Sequence, residues 1–236
     1  MRLLLRACAT HGIAASRPAA LDLFGASWYA DDRWRILPCG LDLRSFASVV
    51  AGCDIRSEIG LPRDAIVMGH VGRFVLAKNH TFLVKVLSEM VKLETRAYAI
   101  FFGDGPLRRD IEQEAESAGL SNRIVFAGVR HDVDRLMRDA MDVFVFPSCF
   151  EGLGLAVIEA QAAGLASVVS SAVPREAEQS NLLKWLSLDR SPREWAAEAL
   201  KLAIAERHPP PDTNSWPFSI ANSVAAFEGV YLRAIV

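Results

Sequence analysis

Two glutamates eight residues apart, Glu151 and Glu159, bracket the glycine turn Gly152-Leu153-Gly154 within residues 141–164. An apolar run from Asp142 to Pro147 precedes the turn, and an apolar segment from Leu155 to Ala163 follows it. The run is short, rich in Val and Phe, and stopped by a proline, so it reads as a buried strand. The segment reads as a helix that Gly164 ends. Unpaired N–H groups and the helix dipole at such a start favour an anion. Glu159 is flanked by Ala156, Val157, Ile158, Ala160 and Ala162, and a carboxylate on so apolar a helix is costly unless something hydrogen-bonds it. Eight residues of helix rise about 12 Å, a reach from a sugar past a diphosphate to a ribose. The unit therefore reads as a phosphate cradle with a hydroxyl-reading carboxylate at each end. A plainer reading stays open, because turns of this kind occur in any α/β domain and their glycines can serve the backbone alone.

Arg73 and Lys78 share one loop, Gly72 to Asn79. Arg offers a planar fork to phosphate and Lys a point charge. With the Gly152 and Gly154 amides they could neutralise a diphosphate; two solvated charges are the alternative. Asp132-Val133-Asp134 matches a loose metal-holding pattern, but helix capping by Asp132 is the simpler account. His70 is expected to be a satisfied core residue and His80 to begin a helix.

These residues need a frame to position them. Strands are expected at 35–39, 66–71, 98–102, 123–127, 142–147, 167–170 and 185–188. Helices are expected in pieces over 2–20, with Ser16-Arg17-Pro18 as a start, and over 43–59, 81–93, 106–118, 132–139, 192–206 and 220–236. Strands and helices alternate from residue 64 to 207, which implies a parallel sheet with helices on both faces. Ligands in such folds bind at the carboxyl ends of strands. The Arg73/Lys78 loop, the Gly103 turn, the Val129/Arg130 loop and the Glu151 turn all fall there.

The chain has 236 residues, is 51% hydrophobic and 23% charged, and carries a formal net charge of −2. A packed core is expected, and nothing points to bulk electrostatic binding of nucleic acid. No apolar run is long enough to span a membrane. The expected location is the cytoplasm, with peripheral attachment at the inner membrane left open. Cys8, Cys39, Cys53 and Cys149 share no metal-like or redox-like spacing and are expected to be reduced core residues.

Several segments in order are familiar: Val71-Gly72-Arg73-Phe74 with Lys78-Asn79-His80, Phe102-Gly103-Asp104-Gly105-Pro106, Val143 to Ser148, and Glu151 to Glu159. Together they resemble the family 4 glycosyltransferases, most of all the bacterial exopolysaccharide and capsule-type branch. The resemblance implies a Rossmann-like doubly wound α/β parallel sheet, one domain of the two-domain GT-B fold. It implies retaining transfer of a sugar from a nucleotide-diphosphate donor to a glycan or lipid-linked acceptor, with no metal and no further cofactor. Carried onto this sequence, Arg73 and Lys78 would hold the diphosphate, beside Gly72. Glu151 would bind hydroxyls of the transferred sugar. Gly152 and the Leu153, Gly154 and Leu155 backbone would meet phosphate and sugar oxygens. Glu159 would bind the ribose, and Val129 and Arg130 would lie near the base.

One departure from the family stands out. Only one Rossmann-like domain is expected, over residues 35–207, with 1–34 a remnant of the inter-domain crossing and 208–236 a linker and terminal helix. An amino-terminal, acceptor-side domain is missing, which implies that Met1 falls mid-protein. The alternative is a non-catalytic nucleotide-sugar-binding module that needs a partner chain. A GT-B sugar epimerase fits less well, since no acid/base pair stands out beyond Glu151.

Overall fold

The computed structural model describes residues 8–47 and 54–234. Expectations for residues 1–7, for 48–53 with Cys53, and for the last two residues lie outside the described residues. In chain order the elements are β1 (Gly12–Ala14), α1 (Arg17–Phe24), β2 (Trp34–Ile36), α2 (Arg44–Ala47), α3 (Ile55–Glu58), β3 (Ile66–Val71), α4 (His80–Leu93), β4 (Ala97–Phe102), α5 (Arg108–Ser117) and β5 (Ile124–Gly128). They continue with α6 (Val133–Asp139), β6 (Val143–Phe146), α7 (Leu155–Ala162), β7 (Ser167–Ser170), β8 (Leu183–Leu186), α8 (Pro192–Ala203) and α9 (Ile220–Ala234).

Strands β3 to β8 form one parallel sheet in the order β5-β4-β3-β6-β7-β8. The chain steps outward from β3 through β4 to β5, then returns to lay β6 on the other side of β3. This is a doubly wound parallel sheet, the fold class that the resemblance implies. The reversal opens a crevice at the carboxyl ends of β3 and β6.

The sheet forms where it does because its central strands are apolar on both faces. Val143, Phe144, Val145 and Phe146 are all fully buried. Alternate residues go to opposite layers: Val67, Phe144, Phe146 and Val169 join α6 and α7, while Met68, Val143, Val145 and Val168 join α4, α5 and α8. Helix α4 buries Leu83, Val84, Leu87 and Met90, a stripe at helical spacing. Trp195 of α8 is fully buried, and its indole N–H donates to the Ser187 carbonyl at 3.1 Å. Truncating such a residue to Ala costs about 3–5 kcal/mol. Ser191 closes a capping box with Glu194 and fixes the start of α8.

Several boundaries differ from expectation. β1 lies where no sheet pattern is visible, because three residues are too few to show a period; it pairs in parallel with β2. β8 begins two residues before the expected strand, on a sheet edge where the apolar alternation is weak. The expected helix 43–59 contains two short helices, α2 and α3. α5 starts after Pro106, at Arg108. The cysteine expectation is corrected as well: Cys8, Cys39 and Cys149 are exposed, not core residues.

Candidate functional site

The four loops at the carboxyl edge are stitched together by backbone bonds. Phe74 N–H donates to Asp104 O at 3.0 Å, Gly103 N–H to Gly128 O at 2.8 Å, and Cys149 N–H to Ala77 O at 2.8 Å. Gly103 is required for this fit: its φ is +122°, and a Cβ there would lie 2.2 Å from the Gly72 carbonyl oxygen. Asn79 adopts the left-handed region, φ 57° and ψ 47°, directly before α4. Its amide donates to Pro147 O at 3.3 Å, a second tie between the β3 and β6 loops.

These ties bring Lys78 to Glu151. The ammonium donates to Oε1 at 2.6 Å, with the side chains only 20% and 10% exposed. It also sits 4.8 Å from the centre of the Phe146 ring, a second favourable contact for a cation. Arg73, in the same loop, is exposed, and no described side chain pairs with it. Gly72 is packed closely: a Cβ there would meet His70 Nε2 at 2.9 Å and the Lys78 stem at 3.2 Å.

Across the crevice, α7 starts at Gly154, whose φ of +91° and lack of a side chain leave no side-chain cap. Among the described residues the Leu153, Gly154, Leu155 and Ala156 amides donate to no protein acceptor. Leu153 is buried by its side chain, so only its backbone can face a ligand; Gly152 is exposed and Leu155 is 38% exposed. Glu159 is half-buried and meets no described partner; burial alone pushes its carboxyl above the usual range. Uncapped amides, a lone carboxylate and a lysine opposite can receive an anion at one point and hydroxyl groups at another.

At the edge of the sheet, Val129 is 73% exposed. The Arg130 guanidinium is held in a fork by Asp132, with Nε–Oδ1 at 2.7 Å and Nη2–Oδ2 at 2.6 Å. This corrects the capping expectation: Asp132 occupies the position before α6 but makes no capping bond, because its carboxylate is spent on Arg130. Among the described residues no three His, Cys, Asp or Glu side chains converge as a metal group would require.

His70 is fully buried, as expected, yet only its Nδ1 is satisfied, by the Val145 carbonyl at 2.9 Å. Its Nε2, both His80 nitrogens and the Ser148 hydroxyl have no partner among the described residues. Burial holds His70 well below the usual histidine range and, with Lys78 adding repulsion, His80 at about 4. His80 is the first residue of α4, and its ring stacks on Phe74 at 4.0 Å.

The sequence profile of the family described as "Glycosyl transferases group 1" matches residues 65–204. The chain belongs to the group 1 glycosyl transferases. Among curated relatives of this chain, the putative glycosyltransferase EpsF of Bacillus subtilis is 36% identical over 208 residues, 87% of this chain and 54% of that protein. The UDP-Gal:alpha-D-GlcNAc-diphosphoundecaprenol alpha-1,3-galactosyltransferase of Escherichia coli is 33% identical over 140 residues, 58% of this chain and 36% of that one. The chain thus spans about half the length, or less, of these relatives. The crystal structure of Anabaena HepE in complex with UDP and glucose superposes with a TM-score of 0.80 at 20% identity, over 97% of this chain and 64% of that one. That likeness is one of fold. Among the described residues no helix is long and apolar enough to cross a membrane.

The four loops are the ones the sequence places at this edge; the role of Asn79 and the backbone bonds that stitch the loops together are not visible in it. One signal was available: Asn immediately before a helix, since Asn tolerates the left-handed region better than most residues.

Proposed function

We propose that the crevice between β3 and β6 binds the diphosphate of a nucleotide-sugar donor, and that the chain is the donor-binding, carboxy-terminal part of a retaining glycosyltransferase. The observation that carries this reading is Glu159. A half-buried carboxylate without a partner, on an apolar helix whose first amides are also unpaired, is destabilising unless a ligand supplies donors. A ribose and a diphosphate supply what α7 lacks. Arg73 and Lys78 meet the diphosphate beside Gly72. Glu151 takes hydroxyls of the transferred sugar, and Gly152 with the Leu153, Gly154 and Leu155 backbone takes phosphate and sugar oxygens. Val129 and Arg130 flank the base, with Arg130 presenting a guanidinium plane already fixed by Asp132.

In this reading the leaving diphosphate is stabilised by fixed cations and amides, which is electrostatic preorganisation without a metal step. Retention follows from attack on the face the diphosphate leaves, with a donor phosphate oxygen taking the acceptor proton. The acceptor, a glycan or lipid-linked glycan, is met by a further amino-terminal domain. Support comes from β1 and β2, a two-stranded parallel sheet with both outer edges unpaired among the described residues, since such a pair is marginal alone. It also comes from α9, which exposes Ile220, Val224, Tyr231 and Leu232. A cytoplasmic position, peripheral at the inner membrane, suits a lipid-linked acceptor.

The same open edges support the second reading, a binding module that works only with a partner chain. Calorimetric titration of the chain with UDP and GDP tests the first step: one should bind, and Glu159→Gln and Lys78→Ala should weaken it. Adding a separately made amino-terminal domain then separates the readings, restored transfer supporting the enzyme.

A further inference from the structure

Ser16, between β1 and α1, reaches the glycine turn. Ser16 is fully buried. Its hydroxyl donates to the Gly152 carbonyl across 136 residues of chain and accepts from the Ala19 amide, which makes it also the cap of α1. Next to it, Arg17 N–H donates to Glu176 Oε1 at 2.9 Å, on the turn after β7. A hydroxyl has one proton to give, so the donation to Gly152 is the whole of its donor capacity.

The Gly152 carbonyl and the Leu153 N–H belong to one peptide plane. No peptide bond among the described residues is cis, and in a trans peptide the C=O and N–H point in opposite directions. Fixing the Gly152 oxygen on Ser16 therefore fixes where the Leu153 N–H points: away from α1, with no protein acceptor in its path among the described residues. Gly152 itself is exposed, and a Cβ there would meet nothing within 4 Å. Packing holds this plane only at its Leu153 end, and among the described residues the Ser16 hydroxyl is the side-chain group that fixes its oxygen.

We propose that Ser16 is a positioning residue for the donor site: it aims the Leu153 amide at the diphosphate-sugar group, coupling the β1–α1–β2 unit to the anion-binding turn. The proposal rests on the donor-site reading above for what the amide meets, but not for where the amide points. Glycine at a cap position keeps a helix start nearly intact, so Ser16→Gly removes the tie while sparing α1, and Ser16→Thr retains the hydroxyl.

Two measurements on the full chain test it. In the ligand-free chain, the Leu153 amide NMR cross-peak should shift and broaden in Ser16→Gly and stay near its original place in Ser16→Thr. In calorimetry, Ser16→Gly should weaken UDP or GDP binding about tenfold, the loss of one hydrogen bond to an anion, with a melting temperature lowered by only about 2–4 °C and recovery in Ser16→Thr. An unmoved Leu153 peak overturns the positioning role whatever the nucleotides do. A moved peak with unaltered binding overturns the aim of the amide at the donor while leaving the donor site standing. If the unsubstituted chain binds neither UDP nor GDP, the donor-site reading fails and the aim fails with it.

Discussion

The Lys78 ammonium donates to the Glu151 carboxylate at 2.6 Å, joining the loop after β3 to the turn after β6 across the crevice. Without a donor, each charge satisfies the other in a place where both are largely shielded from water. In the proposed donor site an arriving diphosphate would compete with Glu151 for Lys78, and the carboxylate would repel it. Glu151→Gln removes that repulsion. UDP, which lacks the sugar that Glu151 is assigned to hold, should bind the variant about threefold tighter, whereas sugar transfer should fall. Weaker UDP binding in calorimetry would contradict the assignment.

Lys78 and Arg73 are expected to separate when replaced. Lys78→Ala strands a half-buried carboxylate, so it should lower stability by about 1–3 kcal/mol and weaken UDP binding by more than about tenfold. Arg73→Ala touches an exposed side chain with no described partner and should leave stability within about 0.5 kcal/mol while still weakening UDP. Paired melts and titrations check both; a strong loss of stability in Arg73→Ala would remove it from the list of free cations.

Glu159 provides a pH test. Burial raises its carboxyl above the ordinary glutamate value of 4.5, so the folded chain binds that proton more tightly than the unfolded one. Its contribution to stability is therefore most favourable below pH 4.5 and declines as pH rises through the folded value. Glu159→Gln should melt about 2 °C higher at pH 7, with the gain vanishing towards pH 4, and should bind UDP more weakly. A stabilised variant that has lost affinity is the signature of a residue kept for a ligand.

The histidine pair should run in the other direction. His80 is held at about 4, against 6.5 for the free side chain, so the unfolded chain takes up the proton first as pH falls. Stability is lost between 6.5 and about 4. His80→Phe keeps the stack on Phe74 and removes two unpartnered nitrogens. Its melting temperature should depend less on pH across that window than that of the unsubstituted chain. Identical slopes would place the acid sensitivity elsewhere, His70 being the next candidate.

The sheet was legible because its central strands are unbroken apolar runs and each crossover helix carries a period. Ile66–Val71 and Ser167–Ser170 fall at their expected residues. The strands β1 and β8 were missed or shifted because they are short, and β8 is also a half-exposed edge. Within the candidate site, Arg73, Lys78, Glu151 and the glycine turn could be found by type and spacing, and the parallel topology does bring their loops to one edge. The Lys78–Glu151 pairing was not visible, because nothing in a sequence states which of two nearby loops will lean on the other. Asp132 misled for a related reason: capping is a local habit, and here a guanidinium two residues away outbid the helix. Ser16 was legible only as a helix start, which it is; its contact with Gly152, across 136 residues, has no local pattern.

Gly103, seated against the Gly72 carbonyl, bears on any attempt to re-engineer the loops at the carboxyl edge of this sheet. The segments 72–79 and 103–106 interlock like two leaves of a hinge, so neither can be transplanted from a relative without the other. Libraries that vary one and hold its neighbour fixed would collect misfits; exchanged as a matched pair, the two should graft as a single cassette.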